Sequence, residues 1–253
     1  MIISHEHRFI FVKTRKTAGT SVEVALEPLA GPDGVVTPLL PAPAGQSERH
    51  DRNWRGRIGP LPDMRERWER TGRVRDVRAV VGPVLKDIRR RRRFHEHMSY
   101  ALARQRAGRR VDRYFSFCFE RNPWDKAVSW WAWFHRGQPG LRFPEDFEAW
   151  LLDPQLEGLF SEWYMYTRRG TIAVDFVGRF ERLQADLVHA LAEIGAPSPE
   201  DIAGALTQEK TSDRPSGAPL SDRCHERIAE MFHREIDAFG YTPPPELVGA
   251  RSA

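Results

Sequence analysis

Cysteine and lysine are the scarce residues of this chain. Its 253 residues include only two cysteines, Cys118 and Cys224. That is too few for a disulfide framework, and they lack the paired spacing of a zinc site. No apolar run approaches the ~18 residues of a membrane span. The opening Met1-Ile2-Ile3-Ser4-His5-Glu6-His7 lacks the basic-then-apolar layout of a signal peptide. Together these absences predict a soluble, cytoplasmic protein with no membrane partner and no resident metal. Charge of one sign is also modest: 39 basic against 35 acidic side chains, a net +4. That is too little to imply nucleic acid by itself, but it suits a small anionic ligand.

Lysine supplies only five of the basic residues (Lys13, Lys16, Lys86, Lys126, Lys210); the other 34 are arginines. Two of the five lie near the N-terminus, where a point charge and an arginine fork would do different work. What the chain has is a 40% apolar content, enough for a substantial core at this length. Residues 8–13 form a short apolar run, as expected of a strand buried on both faces. Residues 22–27 read as a helix that Pro28 helps to end. Residues 114–120 alternate with period two and are rich in aromatics, which predicts a strand. Asn122 is a good N-cap and Pro123 a good first residue for a helix that runs on through Trp131.

Further along, residues 95–107 read as a helix opening at His95, and 145–152 and 159–168 as helical. Residues 173–177 read as a third strand. Leu183, Leu187, Leu191 and Ile194 mark one helix face that stops at Gly195. The last helix starts at Ser221 and runs to Gly240. Strands separated by helices predict one α/β domain over residues 1–253, a central parallel sheet flanked by helices. An Arg- and Pro-rich insertion at about 30–93 interrupts it, and the run Arg89–Arg93 reads as a solvated face.

Between the first strand and helix lies Thr14-Arg15-Lys16-Thr17-Ala18-Gly19-Thr20-Ser21. A buried strand, a short loop with glycine, then a helix is a layout that binds phosphate-like groups through amide donors and the helix N-terminus. Lys16 adds an ammonium, and Thr17, Thr20 and Ser21 add hydroxyls. The bland alternative is an ordinary turn capped by Thr17. The pattern is not the G-x-x-x-x-G-K-[ST] loop of nucleoside triphosphatases, because the lysine precedes the glycine. The theme repeats at Arg121-Asn122-Pro123-Trp124-Asp125-Lys126 through Ser129. There an arginine fork and a hydroxyl form a plausible clamp for a second phosphate, unless Arg121 simply pairs with a nearby carboxylate.

Together the two loops resemble the sulfotransferases that use 3′-phosphoadenosine 5′-phosphosulfate. Lys16-Thr17-Ala18-Gly19-Thr20-Ser21 looks like that superfamily's 5′-phosphosulfate loop, and Arg121 through Ser129 like its 3′-phosphate motif. The resemblance covers residues 8–28, 94–131 and 171–241, and it is nearest to the bacterial and Golgi-type carbohydrate sulfotransferases. It implies a fold of the P-loop nucleotide-kinase kind. It also implies donor contacts from Arg15, Lys16, Thr17, Ala18, Gly19, Thr20, Ser21, Arg121 and Ser129, with Lys210 and Arg214 closing over the nucleotide. Arg15 departs from the family pattern, which has proline before the lysine. The 30–93 segment has no counterpart.

Phe94-His95-Glu96-His97 resembles the His-x-His segment of uronyl 2-O-sulfotransferases. This implies that His97 is the general base and His95 a supporting residue, with Glu96 an alternative. Lys16 would stabilise the leaving group. The expected reaction is sulfuryl transfer to a hydroxyl of a carbohydrate or small metabolite, leaving 3′,5′-bisphosphoadenosine, in a bacterial cytosolic enzyme that binds no nucleic acid. Two rivals remain at this level: a nucleotide-dependent small-molecule kinase, and a non-catalytic binder of anions or nucleic acid built around the arginines. Lys13 receives no role.

Overall fold

The computed structural model describes residues 1–38, 50–56, 64, 77–135, 143–153, 156, 160–206 and 220–248, with backbone only at 77–80. They gather into two compact units, Met1–Glu120 with Tyr164–Glu209 and Arg121–Trp163 with Lys210–Ala253.

The first unit is built on a sheet. Its strands are β1 (Ile2–Ser4), β2 (Phe9–Phe11), β3 (Val35–Val36), β4 (Phe115–Glu120) and β7 (Phe176–Arg179), in the order β3-β1-β2-β4-β7. β2, β4 and β7 run parallel, with Phe9 opposite Phe115 and Phe117 opposite Phe176. β1 pairs antiparallel with both β2 and β3. The wholly parallel sheet expected from sequence is therefore mixed. β1 and β3 have three and two residues, too short to show a period.

Just before β7, Asp175 is an anchor rather than a strand residue. Its carboxylate accepts from the Ser116 amide at 2.8 Å and the Ser116 hydroxyl at 2.7 Å. This delays the start of β7 relative to the sequence reading of 173–177. The core of this unit packs Phe9, Phe11, Phe117 and Phe119 from the sheet against Val22, Leu26, Leu187 and Leu191 from two helices, Gly19–Leu26 and Leu183–Glu193, and against Ile194, which caps the second. The Phe11 and Phe117 rings lie 5.3 Å apart, within the range where tilted aromatic pairs attract.

Three local expectations change for identifiable reasons. The helix read from His95 begins at Tyr100 instead, because Ser99 accepts from the Leu102 amide at 3.3 Å and sets the N-cap there; residues 95–97 stay outside the helix. Among the described residues of the stretch 159–168, the helix is confined to Trp163–Tyr166. A hairpin follows, β5 (Thr167–Arg168) and β6 (Thr171–Ile172), turning at Arg169 and Gly170 with φ of 54° and 83°. Consecutive positive φ values are what a two-residue hairpin requires. The last helix is two, Asp222–Met231 and His233–Phe239, broken at buried Phe232 with φ −117° and ψ 22°.

Part of the arginine-rich segment is structural. Arg52 donates to Glu27 at 2.7 Å and to the Gly31 carbonyl at 2.9 Å. Arg93 and Arg106 donate to each other's backbone carbonyls. The second unit has its own core, in which Trp124, Trp130, Trp150, Phe160, Ile228 and Phe232 pack together. Trp133, by contrast, is exposed. Among the described residues no helix is long and apolar enough to cross a membrane.

Close packing makes one glycine of the sheet irreplaceable. A Cβ at Gly178 would sit 2.5 Å from the Phe119 ring and 3.2 Å from the Asp186 Cβ. Gly178→Ala is expected to destabilise the protein by about 1–3 kcal/mol, the usual cost of overpacking a core. A urea midpoint equal to the parent's would disprove the contact.

Candidate active site

β2 and β4 are parallel, so their C-terminal ends lie on one edge of the sheet, the edge where α/β folds place ligands. The chain leaves β2 at Phe11 and reaches the next helix at Gly19. Val12 extends the ladder, its amide donating to the Phe117 carbonyl at 2.9 Å. The Thr14 hydroxyl then donates to the Phe119 carbonyl and fastens the loop to β4. The Thr17 hydroxyl is 3.0 Å from that of Thr14 and 3.2 Å from the Thr14 carbonyl. Thr17 therefore braces the loop from within and does not cap the helix.

The helix Gly19–Leu26 has no side-chain cap at all. Its N-cap residue is Ala18, left-handed at φ 57°, and Lys16 is left-handed at φ 63°. Each costs a residue with a Cβ on the order of 1–3 kcal/mol, a cost tolerated mainly where the surroundings fix the conformation. The first amides of an uncapped helix end are donors without helical partners. They carry the positive end of the helix dipole. Lys16, Ala18 and Thr20 are partly exposed there, and Ser21 is 7% exposed. Gly19 has a steric reason: a Cβ would lie 2.7 Å from the Lys13 Cγ and 3.2 Å from the Thr14 carbonyl oxygen.

His97 stands against this loop. Its Nδ1 is 2.9 Å from the carbonyl oxygen of Lys13. A carbonyl only accepts, so Nδ1 carries the ring proton and Nε2 presents its lone pair. Nε2 makes no hydrogen bond among the described residues; the nearest carboxylate oxygen, Oε1 of Glu96, is 3.9 Å away. Burial, then the positive charges of Arg15 and Lys13, hold the His97 pKa well below 6.5. The ring is thus neutral at physiological pH, with a quarter of the side chain still exposed. His95 is partly buried next to it.

Lys13, to which the sequence assigned no role, proves central to the buried charges beside this loop. It is 3% exposed. Its ammonium pairs with Glu23 at 2.9 Å and with Glu96. Glu23, wholly buried, also receives the ammonium of Met1. Only a lysine three positions before Lys16, without any periodicity to follow, was available as a signal.

The second motif belongs to the other unit. Asn122 caps its helix, Pro123–His135, accepting from the Trp124 amide at 3.1 Å. Arg121, 7% exposed, donates to Asp125 from Nε at 3.1 Å and from Nη2 at 2.8 Å. The carboxylate pairing is therefore present, and it aligns the guanidinium. Ser129 is 5% exposed on the same helix. Lys126, inside the motif, is wholly buried and 3.6 Å from an equally buried Glu162. Lys210 and Arg214 lie outside the described residues. Among those residues no group of three or more His, Cys, Asp or Glu could hold a metal ion.

A family model described as the sulfotransferase family matches residues 1–242. An uncharacterised protein of Archaeoglobus fulgidus is 33% identical over 105 residues, 40% of this chain and 85% of that protein. No solved structure matches the chain.

The lowered pKa of His97 has a signed consequence for stability. In the unfolded chain the ring binds a proton near 6.5, and in the folded chain only at lower pH. Between those two values the unfolded state binds more protons, so stability falls as pH falls through that window and levels off below it. His97→Gln is expected to flatten this part of the curve. Urea titrations at a series of pH values check it; an unchanged slope would place the histidine in water.

Proposed function

Because the chain belongs to the sulfotransferase family, we propose that it moves a sulfuryl group from 3′-phosphoadenosine 5′-phosphosulfate to a hydroxyl of a carbohydrate or small metabolite. The observation that carries this reading is the uncapped N-terminus of the Gly19–Leu26 helix, entered through left-handed Lys16 and Ala18. A ring of amide donors with one ammonium fits a singly bridged phosphate–sulfate group in charge and in size.

When bound, the donor supplies a sulfuryl group on a phosphate leaving group. The chain's own residues do the rest. Amides of Gly19, Thr20 and Ser21 orient the 5′ end, with Arg15 beside them. The Lys16 ammonium faces the oxygen on which negative charge grows as the sulfur–oxygen bond to the phosphate breaks. Nε2 of His97 takes the proton of the acceptor hydroxyl as that oxygen bonds to sulfur. Arg121 and Ser129 take the 3′-phosphate, as the resemblance of their motif implies; the Asp125 carboxylate keeps the Arg121 fork oriented. His95 supports the acceptor side. The scheme uses no metal.

Three measurements test this. Lys16→Ala is expected to lower turnover by roughly 10²–10³, the range found when one charge-stabilising donor is removed. His97→Ala is expected to leave affinity for 3′,5′-bisphosphoadenosine unchanged while lowering turnover by roughly 10²–10⁴. Normal turnover in His97→Ala rejects it as the base. Calorimetry decides the nucleotide: tighter binding of a magnesium triphosphate than of 3′,5′-bisphosphoadenosine would favour a kinase and sink the sulfotransferase reading.

A further inference from the structure

Two carboxylates, Glu23 and Glu96, converge on one ammonium, that of Lys13. One of them, Glu96, also reaches to 3.9 Å of the His97 Nε2. A carboxylate that close to an imidazole normally draws a proton onto it, by raising its pKa or by switching the tautomer. Either result would remove the lone pair that proton abstraction needs. The Nδ1 bond to the Lys13 carbonyl shows the opposite arrangement.

We propose that Lys13 is a positioning residue for His97: its ammonium binds and neutralises the very Glu96 oxygen, Oε1, that stands 3.9 Å from Nε2, while its own carbonyl fixes the ring proton on Nδ1. The inference deepens the proposed reaction and rests on it for its functional meaning. One residue performs both tasks because its backbone and its side chain act on opposite sides of the ring. Lysine suits the position better than arginine. A compact ammonium with three donors can serve two carboxylates from one point, whereas a planar fork engages one of them side by side. The stem that carries the ammonium inward passes over Gly19, where a Cβ would meet the Lys13 Cγ at 2.7 Å. The loop glycine is thus needed by the lysine as much as by any ligand.

The charged groups that bear on His97 are few. Lys13, Arg15 and the Met1 ammonium disfavour its protonation. Glu96 favours it, and Glu23 acts from one step further away through Lys13. Removing the Lys13 charge takes away one cation and releases Glu96 at once, so both effects raise the His97 pKa. Removing the Glu96 charge leaves Lys13 less compensated and lowers it.

The test is nuclear magnetic resonance of the full chain with labelled histidine, the His97 signals identified by their loss in His97→Gln. In the parent, His97 is expected as the Nδ1–H tautomer, titrating below 6.5. Lys13→Met is expected to raise its midpoint by roughly one pH unit or more, the usual effect of a charge within ~4–6 Å. Glu96→Gln is expected to lower it, and the double variant to return near the parent value. If Lys13→Met does not fold, Glu96→Gln at a partly exposed position carries the test alone. An Nε2–H tautomer in the parent, or a midpoint that does not move in Glu96→Gln, overturns the proposal.

The acid limb of the turnover profile should follow the same midpoints, which a merely structural role for Lys13 would not produce. Midpoints that shift as expected in a protein that sulfates no acceptor would uphold the positioning and reject the reaction. Transfer with unmoved midpoints would do the reverse.

Discussion

The buried carboxylate of Glu23 is the constraint around which the first unit is organised. A carboxylate without water is costly unless cations and hydrogen bonds surround it. Here the cations come from two different strands' ends: the Met1 ammonium before β1 and Lys13 after β2. The carboxylate itself sits on the helix that follows the loop. One charge therefore ties together a strand start, a strand end and a helix, and it fixes the path of the five residues between Lys13 and Gly19. Lys13 in turn reaches Glu96 and, through its carbonyl, His97. The loop and the histidine segment, 80 residues apart in sequence, are held to the same anchor.

Much of this was legible in the chain and some was not, for physical reasons. The aromatic alternation of residues 114–120 announced β4 because aromatics gathered on one face leave a period-two record; that Ser116, Cys118 and Glu120 on the other face are buried as well was not written in it. The Asn122–Pro123 pair announced its helix because capping chemistry is local. β1 and β3 were missed because two or three residues carry no period. The His95–His97 segment was read as helix because it adjoins one; the decision lay with the Ser99 hydroxyl, which can cap only one start. Lys13 was missed for a deeper reason. Its partners Glu23 and Glu96 are 10 and 83 residues away, and nothing in a sequence marks which distant carboxylates will share one cation.

The arginines divide in the same way. Arg52, Arg93 and Arg106 are structural, tying loops to carbonyls and to Glu27. Arg121 is aligned by Asp125. Arg15 contributes to the field at His97. A basic side chain in this chain thus tends to be assigned by the acceptor it meets, and composition alone could not separate fastening from binding. Lys126 makes the point from the other direction: it stands within the Arg121–Ser129 motif, yet it is buried against Glu162.

Lys16 holds a left-handed conformation that glycine or asparagine would adopt with less strain. Stability and the role proposed for the ammonium therefore pull this position in opposite directions. A library of variants sorted only for thermal resistance would drift towards glycine at 16, and would grow sturdier as it lost its ammonium. The loop's rigidity is thus a stored liability, kept in place by the neighbours that fasten Thr14 and Thr17, and a screen for robustness would dismantle it first.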